Sequence, residues 1–233
     1  MIDGIDSSGK GTATTALKEF YKAQGKSVLD LRTYWKDHQG FPGIDPYDVI
    51  IATEPTFTHI GKKIRDEMIR NKTKYTPKEI AKAFSEDRKE LYEKIVIPAK
   101  QENKIVVQER GVVTSLAYQP LMDGLDKKEV LALEGNQFCL NHAPDLLILT
   151  TVDPRVAIER IQARYEKQDD AIFEKEDFLR KGQEAYKSTW IKELLESKGT
   201  KIIFLDTNPP KTPEDTKRET VEIIQKHPTQ TSS

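Results

Sequence analysis

Residues 4–12 constrain the fold of this chain more than any other part of its sequence. They read G-I-D-S-S-G-K-G-T and match the pattern G-x-x-x-x-G-K. In this pattern the glycines let the backbone curl so that successive N–H groups face phosphate oxygens, and the lysine, here Lys10, reaches the terminal phosphates. A helical pattern follows directly and would present its positive dipole end to the same anion. The sequence therefore predicts a phosphate-binding loop, with a chance Gly-rich turn as the alternative.

Five short apolar segments alternate with longer helical patterns after this loop. They span residues 27–31, 49–53, 104–109, 146–152 and 201–206 and are rich in Val, Ile and Leu. None alternates apolar with polar residues, which is typical of strands buried on both faces of a parallel sheet. We therefore expect an α/β fold of three layers, with a five-stranded parallel sheet flanked by helices. Only Met1 and Ile2 precede Asp3-Gly4, so either the first strand is a stub or the sequence starts late.

The chain is expected to form one domain. Of its 233 residues 36% are hydrophobic, enough for a substantial core, and no internal repeat or long interior linker divides them. Residues 1–226 are assigned to this domain, and the polar tail 227–233 is expected to be disordered. Residues 34–47, which contain two glycines and two prolines, are interpreted as a surface excursion.

Composition and charge argue against several classes of protein. The 37 Lys and Arg residues nearly cancel the 38 Asp and Glu residues, so a broad basic surface for nucleic acid is not expected. A single cysteine, Cys139, excludes an internal disulfide framework. No apolar run approaches the roughly 18 residues of a membrane span, and the first residues lack the order of a secretory signal. We expect a cytoplasmic homodimer with no nucleic-acid or membrane partner.

Further motifs, in the same order along the chain, resemble the thymidylate kinase family. Residues 107–111 (V-Q-E-R-G) and 115–119 (S-L-A-Y-Q) are similar to an acid–arginine pair that ends a strand and the helix after it. F-S-E-D-R at 84–88 and T-E-P at 53–55 are similar to a helix and a turn of that family. The stretch from Pro144 to Arg164, with Phe173, Glu174 and Tyr186, is similar to its last parallel strand, lid and following helix. The G-K-G-T ending of the loop also resembles nucleoside monophosphate kinases.

The resemblance implies a P-loop NTPase fold with a small lid at about residues 160–175, and an enzyme that phosphorylates dTMP to dTDP with ATP and Mg²⁺. It implies that ATP phosphates are bound by Arg160 and by the loop residues Gly4, Ile5, Asp6, Ser7, Ser8, Gly9, Lys10, Gly11 and Thr12. The implied catalytic residues are Lys10, Glu109, Arg110 and Arg164. The implied dTMP contacts are Asp6, Glu54, Phe84, Arg88, Arg110, Ser115, Tyr118 and Gln119. Gly11 stands where the strict loop pattern has a Ser or Thr metal ligand, so Thr12 and Glu109, partly through water, are expected to hold Mg²⁺.

The chemistry of these residue types agrees with phosphoryl transfer but leaves other interpretations open. Transfer between two anions needs dense positive charge, and an arginine fork at a strand end, as at Arg110, suits a monophosphate. Arg110 could instead pair with a nearby acid, Glu109 included. Phe84 could be a core residue rather than a base-stacking one, and Asp6 could serve local hydrogen bonds in the loop. Residues 160–175 could be a solvated helix end.

Three departures from the family pattern affect the acceptor side. Thr53 stands where the family has an arginine that contacts phosphate, and Arg65 or Lys62 is expected to compensate. Gly111 replaces an aromatic residue or histidine, and the excursion 34–47 is an insertion. Two alternative functions therefore stay open: a kinase of the same fold with another deoxynucleotide or nucleoside acceptor, and a weakly active nucleotide-binding module.

Overall fold

A six-stranded parallel sheet organises the chain, of which the computed structural model describes residues 1–163 and 175–227. The strands are β1 (Ile2–Asp3), β2 (Val28–Asp30), β3 (Val49–Thr53), β4 (Ile105–Glu109), β5 (Leu146–Thr151) and β6 (Lys201–Asp206). Their order is β2-β3-β4-β1-β5-β6. The chain leaves β1 for the edge strand β2, returns through β3 and β4, and continues beyond β1 with β5 and β6. A ligand crevice is expected where this order reverses, at the carboxyl end of β1.

The expected α/β fold is confirmed, but the sheet has six strands rather than five. The additional strand is β1, which has only two residues and so carries no periodic pattern of its own. Hydrogen bonds on both sides fix it in the sheet: Arg110 N–H donates to Ile2 O at 2.8 Å, and Ile148 N–H donates to Met1 O at 2.9 Å. Both edges of this strand are therefore paired with neighbouring strands.

Helices cover both faces of the sheet. They are α1 (Lys10–Ala23), α2 (Leu31–Asp37), α3 (His59–Lys63), α4 (Pro77–Leu91), α5 (Ile97–Gln101), α6 (Val112–Tyr118), α7 (Lys127–Ala132), α8 (Glu134–Asn141), α9 (Pro154–Gln162), α10 (Glu176–Tyr186), α11 (Thr189–Glu196) and α12 (Pro213–Lys226). A π-helical turn continues α3 at Ile64–Met68, another joins α4 to α5 at Tyr92–Val96, and a 3₁₀ turn follows α6 at Gln119–Leu121. None of the described helices has the length and apolar character needed to cross a membrane.

The interpretation of residues 34–47 as a surface excursion was wrong in part. The helix α2 covers residues 31–37, and the side chains of Trp35 and Ile44 are buried at 6% and 5% exposure. Trp35 donates a hydrogen bond from its indole to the Gly40 main-chain oxygen at 2.7 Å. The segment therefore packs against the body of the protein, although its glycines and prolines suggested a solvent-exposed path.

The core lies on both faces of the sheet, as the continuous apolar strands predicted. In β3, Val49 and Ile51 join the cluster under α1, while Ile50 and Ala52 join the larger cluster on the other face. A third, smaller cluster lies between α3 and α4 and includes Phe84. The strands thus form a scaffold whose side chains are immobilised on two sides, and loops at its carboxyl edge inherit that rigidity.

The packing of α4 against α8 places one wall of the crevice, and it depends on a glycine. A Cβ at Gly135 would lie 1.8 Å from the Ser85 main-chain oxygen, and the Gly135 N–H donates to Ser85 Oγ at 2.8 Å. The two helices therefore approach more closely than any side chain at this position allows.

We expect Gly135→Ala to lower the free energy of unfolding by about 1–3 kcal/mol, because α4 and α8 must separate to admit the methyl group. Gly43→Ala is the matched control, since a Cβ at Gly43 meets no atom within 4 Å. Urea denaturation of both variants measures the difference. Equal stability of the two variants would contradict the close approach of α4 and α8.

Candidate active site

The loop of residues 4–9 joins β1 to α1 at the carboxyl edge of the sheet. Gly9 is the N-cap of α1 with a left-handed φ of 91°, and Gly4 has a φ of 142°. A Cβ at Gly4 would lie 2.3 Å from the Thr150 main-chain oxygen, so the loop lies directly against β5. Gly9 has no side chain that could cap the helix. The first N–H groups of α1 can therefore donate hydrogen bonds to an anion.

Lys10 begins α1 and is 4% exposed. Its Nζ donates hydrogen bonds to the main-chain oxygens of Gly4 at 3.0 Å and Ile5 at 2.6 Å. Burial, helped by the positive charge of Arg110, lowers the pKa of Lys10 to about 8. The ammonium group is thus held over the loop by two carbonyl groups, whose place a phosphate oxygen can take.

Arg110 follows β4 and meets the loop from the other side. Its backbone has a left-handed φ of 65°. Its guanidinium forms an ion pair with Asp6, whose carboxylate also accepts a hydrogen bond from the Tyr118 hydroxyl at 3.3 Å. Burial alone would raise the pKa of Asp6, but Arg110 holds it below its usual range. The structure therefore brings Asp6, Arg110 and Tyr118 together, and the acid that pairs with Arg110 is Asp6 rather than Glu109.

Arg88 and Glu54 form an ion pair in the protein interior. Arg88, on α4, is 1% exposed, and its Nη2 lies 2.6 Å from Glu54 Oε2, just after β3. Gln108 donates to the other oxygen of Glu54 at 2.7 Å. Burial raises the pKa of Glu54 to about 7, against the opposing effect of Arg88. The Arg88 guanidinium also donates hydrogen bonds to the Gly111 main-chain oxygen, Ser115 Oγ and Asn136 Oδ1.

Besides Glu54 Oε2, which the ion pair accounts for, two of the expected dTMP contacts carry a buried polar atom with no hydrogen-bond partner among residues 1–163 and 175–227. These atoms are the Nε of Arg88 and the Oε1 of Gln119. Phe84, one turn before Arg88, is 8% exposed and packs within the third core cluster. Its surroundings are those of a core residue, so its stacking on a base stays a prediction.

Glu109 ends β4 and pairs with Arg32, a residue that the sequence did not single out. Arg32 Nη1 lies 3.0 Å from Glu109 Oε2. Glu109 Oε1 lies 3.9 Å from the position of a Cβ at Gly11, so the carboxylate stands beside the start of α1. The two residues expected to compensate for Thr53 are engaged elsewhere: Arg65 donates to the Pro55 and Thr56 main-chain oxygens, and Lys62 pairs with Asp66 at 2.6 Å.

Arg160, on α9, contacts the loop from the side of β5 and β6. Its guanidinium donates to the Ser7 main-chain oxygen at 3.2 Å and to the Thr207 main-chain oxygen at 2.6 Å. Arg164, most of the expected lid and the tail from residue 228 lie outside the described residues. Their expected roles therefore stay predictions.

The sequence missed Arg32, Asn136 and Thr207, each of which contacts a site residue. Arg32 and Asn136 lie in short helices, α2 and α8, and reach the site from 77 and 48 residues away. Thr207 follows β6 and donates to the Ser8 main-chain oxygen at 3.0 Å. Its position at the carboxyl end of a predicted parallel strand was the one signal that pointed to it.

The donor set of this site fits Mg²⁺ held mainly by phosphate oxygens and water. Among the described residues, no group of three or more His, Cys, Asp or Glu side chains could hold a metal ion. Mg²⁺ usually keeps several waters and uses one or two carboxylates. Glu109 lies beside the start of α1, and its carboxylate would contact the ion through a bound water.

Comparison with known proteins places this chain in a family. The family model described as thymidylate kinase matches residues 45–219. The chain belongs to the thymidylate kinase family. A probable thymidylate kinase from Thermococcus onnurineus is 32% identical over 70% of this chain and 71% of its own length. A thymidylate kinase from a Geobacillus species is 28% identical over 90% of this chain and 88% of its own length. A probable thymidylate kinase from Archaeoglobus fulgidus is 28% identical over 96% of this chain and 93% of its own length.

The lowered pKa of Lys10 generates a prediction about nucleotide binding in this member of the thymidylate kinase family. With a pKa of about 8, Lys10 is partly neutral at pH 8, and a bound phosphate restores its charge. We expect ATP to bind at pH 8 with uptake of roughly half a proton, and more weakly as the pH rises further. Titration calorimetry in two buffers of different ionisation enthalpy measures the uptake. Lys10→Met is the control and should abolish the uptake; an unchanged uptake in Lys10→Met would contradict the assignment.

Proposed function

We propose that this protein transfers the γ-phosphoryl group of ATP to dTMP, yielding dTDP and ADP. The observation that carries the proposal is the convergence of Lys10, Asp6 and Arg110 at the carboxyl edge of β1 and β4, in a chain of the thymidylate kinase family. In this reaction an oxygen of the dTMP phosphate attacks the γ-phosphorus, and the bond to the β-phosphate oxygen breaks. Catalysis then consists mainly of positioning and of neutralising charge.

The loop and α1 would bind the ATP phosphates. Lys10 would exchange its two carbonyl partners for β- and γ-phosphate oxygens, which restores its full positive charge. Arg160 would fix the donor side of the loop through Ser7. Mg²⁺, when bound, would neutralise charge on the β- and γ-phosphates, with Glu109 and Thr12 as the residues expected to hold it.

The acceptor would occupy the crevice between α4 and α6. Arg110 would leave Asp6 for the dTMP phosphate, which frees Asp6 for a sugar hydroxyl. The unpartnered Nε of Arg88 and Oε1 of Gln119 are a donor and an acceptor suited to a pyrimidine edge. Both atoms are buried, so an acceptor that pairs with them gains affinity and one that does not leaves them unsatisfied. Glu54 and Asn136 would hold the Arg88 side chain in place for this contact.

A panel of acceptors tests the proposal. We expect turnover with dTMP to exceed turnover with dUMP, dCMP and dAMP when ADP release is followed in a coupled assay. Lys10→Ala should lower turnover by about 10²–10³-fold, because charge on the transferring phosphate loses its main partner in the loop. Turnover of another nucleotide in preference to dTMP would contradict the acceptor, and full activity of Lys10→Ala would contradict the donor site.

The segment 160–175 generates a second prediction. The loop has Ser7 rather than an arginine, so a cation for the transferring group is expected from this segment, with Arg164 as the first choice and Arg160 as the second. We expect Arg164→Ala to lower turnover about 10²–10³-fold while ATP affinity changes less than about tenfold, the pattern of a contact made mainly in the transition state. Arg160→Ala should act more weakly and also lower the melting temperature, because it removes contacts to Ser7 and Thr207. Normal turnover of Arg164→Ala would contradict the assignment.

A further inference from the structure

The segment that precedes β3 delivers an arginine to the reaction crevice. Residues 28–37 form the edge strand β2 and the helix α2, and β2 pairs in parallel with β3 from Val28–Val49 to Asp30–Ile51. The family model begins its match at residue 45, after this segment. Arg32 lies in the first turn of α2, at the carboxyl end of β2, the same edge at which the phosphate-binding loop begins.

Arg32 spans the end of β3 to reach β4. Its Nε and Nη2 each lie 3.0 Å from a carboxylate oxygen of Asp30, the residue that also caps α2, and its Nη1 lies 3.0 Å from Glu109 Oε2. Between β2 and β4 lies β3, whose last residue, Thr53, is paired in register with Glu109. Arg32 on β2's side of the sheet therefore reaches a residue two strands away.

The charges around Arg32 leave it able to accept a further anion. Lys18 lies 2.8 Å from Asp30 Oδ2 and offsets part of that carboxylate's charge. Arg32 uses three of its five N–H bonds on Asp30 and Glu109, and its side chain is 22% exposed. Two N–H bonds of a partly exposed guanidinium therefore stay available for oxygen atoms, in a planar geometry that suits a phosphate.

Phosphoryl transfer has a donor side and an acceptor side, and Arg32 lies on the side expected for the acceptor. The attacking and leaving oxygens lie roughly in line through the transferring phosphorus. Arg160 and Thr207 contact the loop from the side of β5 and β6, and Arg32 stands on the opposite side, beyond β4. Glu109, between Arg32 and the start of α1, would repel an approaching monophosphate unless its charge were neutralised.

We propose that Arg32 binds the phosphate group of the acceptor and screens it from Glu109. The inference rests on the proposed function for the identity of the acceptor, dTMP. Arg32 of the segment 28–37 would thereby supply a positive charge for the phosphate. At position 53, where the family has an arginine that contacts phosphate, this chain has a threonine. The sequence favoured Arg65 or Lys62 as the phosphate contact. In the structure, Arg65 donates to main-chain oxygens and Lys62 pairs with Asp66.

Binding of dTMP and of thymidine, which differ only in the phosphate, tests the role of Arg32. We expect Arg32→Ala to weaken dTMP binding about 10- to 100-fold, the loss of charge-assisted hydrogen bonds, and to leave thymidine and ATP binding within about twofold of the unaltered protein. Arg32→Lys should fall between the two, because it keeps the charge but loses the fork. Lys36→Ala removes a cation from the exposed face of the same helix and is the matched control, with no expected effect.

The outcomes separate this inference from the proposed function. Equal weakening of dTMP and thymidine by Arg32→Ala, or an unchanged dTMP affinity, would overturn the role of Arg32 even if the unaltered protein turns over dTMP. An unaltered protein that binds dTMP through Arg32 but transfers no phosphoryl group would overturn the proposed function and support the inference. Calorimetric binding needs no turnover, and Arg32→Lys retains the positive charge that Arg32→Ala removes, which guards against a variant that fails to fold.

Discussion

The pairing of the two-residue strand β1 with β4 is the contact on which the geometry of the site depends. Ile2 is in register with Glu109, and the Arg110 N–H donates to the Ile2 main-chain oxygen. The phosphate-binding loop follows β1 directly, and the acid–arginine pair ends β4. Parallel pairing therefore brings residues far apart in the chain to one edge of the sheet, where α1 also begins. Helices packed on both faces keep that edge rigid, so the main chain that carries these side chains is held in place before any ligand arrives.

The three cations proposed to meet phosphate groups at this edge are each held by a protein group, which a phosphate would replace or share. Lys10 is held by two carbonyl oxygens, Arg110 by Asp6, and Arg32 by Asp30 and Glu109. These partners limit the repulsion among like charges in the crevice. They also keep the long side chains from making other contacts. On the proposed function, substrate binding would exchange one set of charge-assisted hydrogen bonds for another. Arg88 differs, because it is buried with Glu54 in the interior and is proposed to contact the base rather than a phosphate.

The sequence predicted the parts of this arrangement that follow from local pattern. The glycines and lysine of the loop, the continuous apolar strands and the arginine after β4 each carry a signal within a few residues, and parallel strands must bring their carboxyl ends together. β1 was too short to show a pattern, and the second half of α2, from residue 34, lay within a segment whose glycines and prolines suggested a loop. The partners Arg32 and Asn136 could not be predicted, because their contacts depend on how α2 and α8 pack in three dimensions. The same holds for the acid that pairs with Arg110, since both Glu109 and Asp6 were compatible with the sequence.

A crystal structure of the protein with dTMP and a non-hydrolysable ATP analogue tests most directly whether this edge is where the two substrates meet. The account predicts that Lys10 Nζ leaves the Gly4 and Ile5 oxygens for the β- and γ-phosphates of the analogue. It also predicts that the dTMP phosphate lies beside Arg110, with its base near Arg88. A dTMP molecule bound away from the carboxyl ends of β1 and β4, or a Lys10 that keeps its two carbonyl partners while the analogue fills the loop, would contradict it.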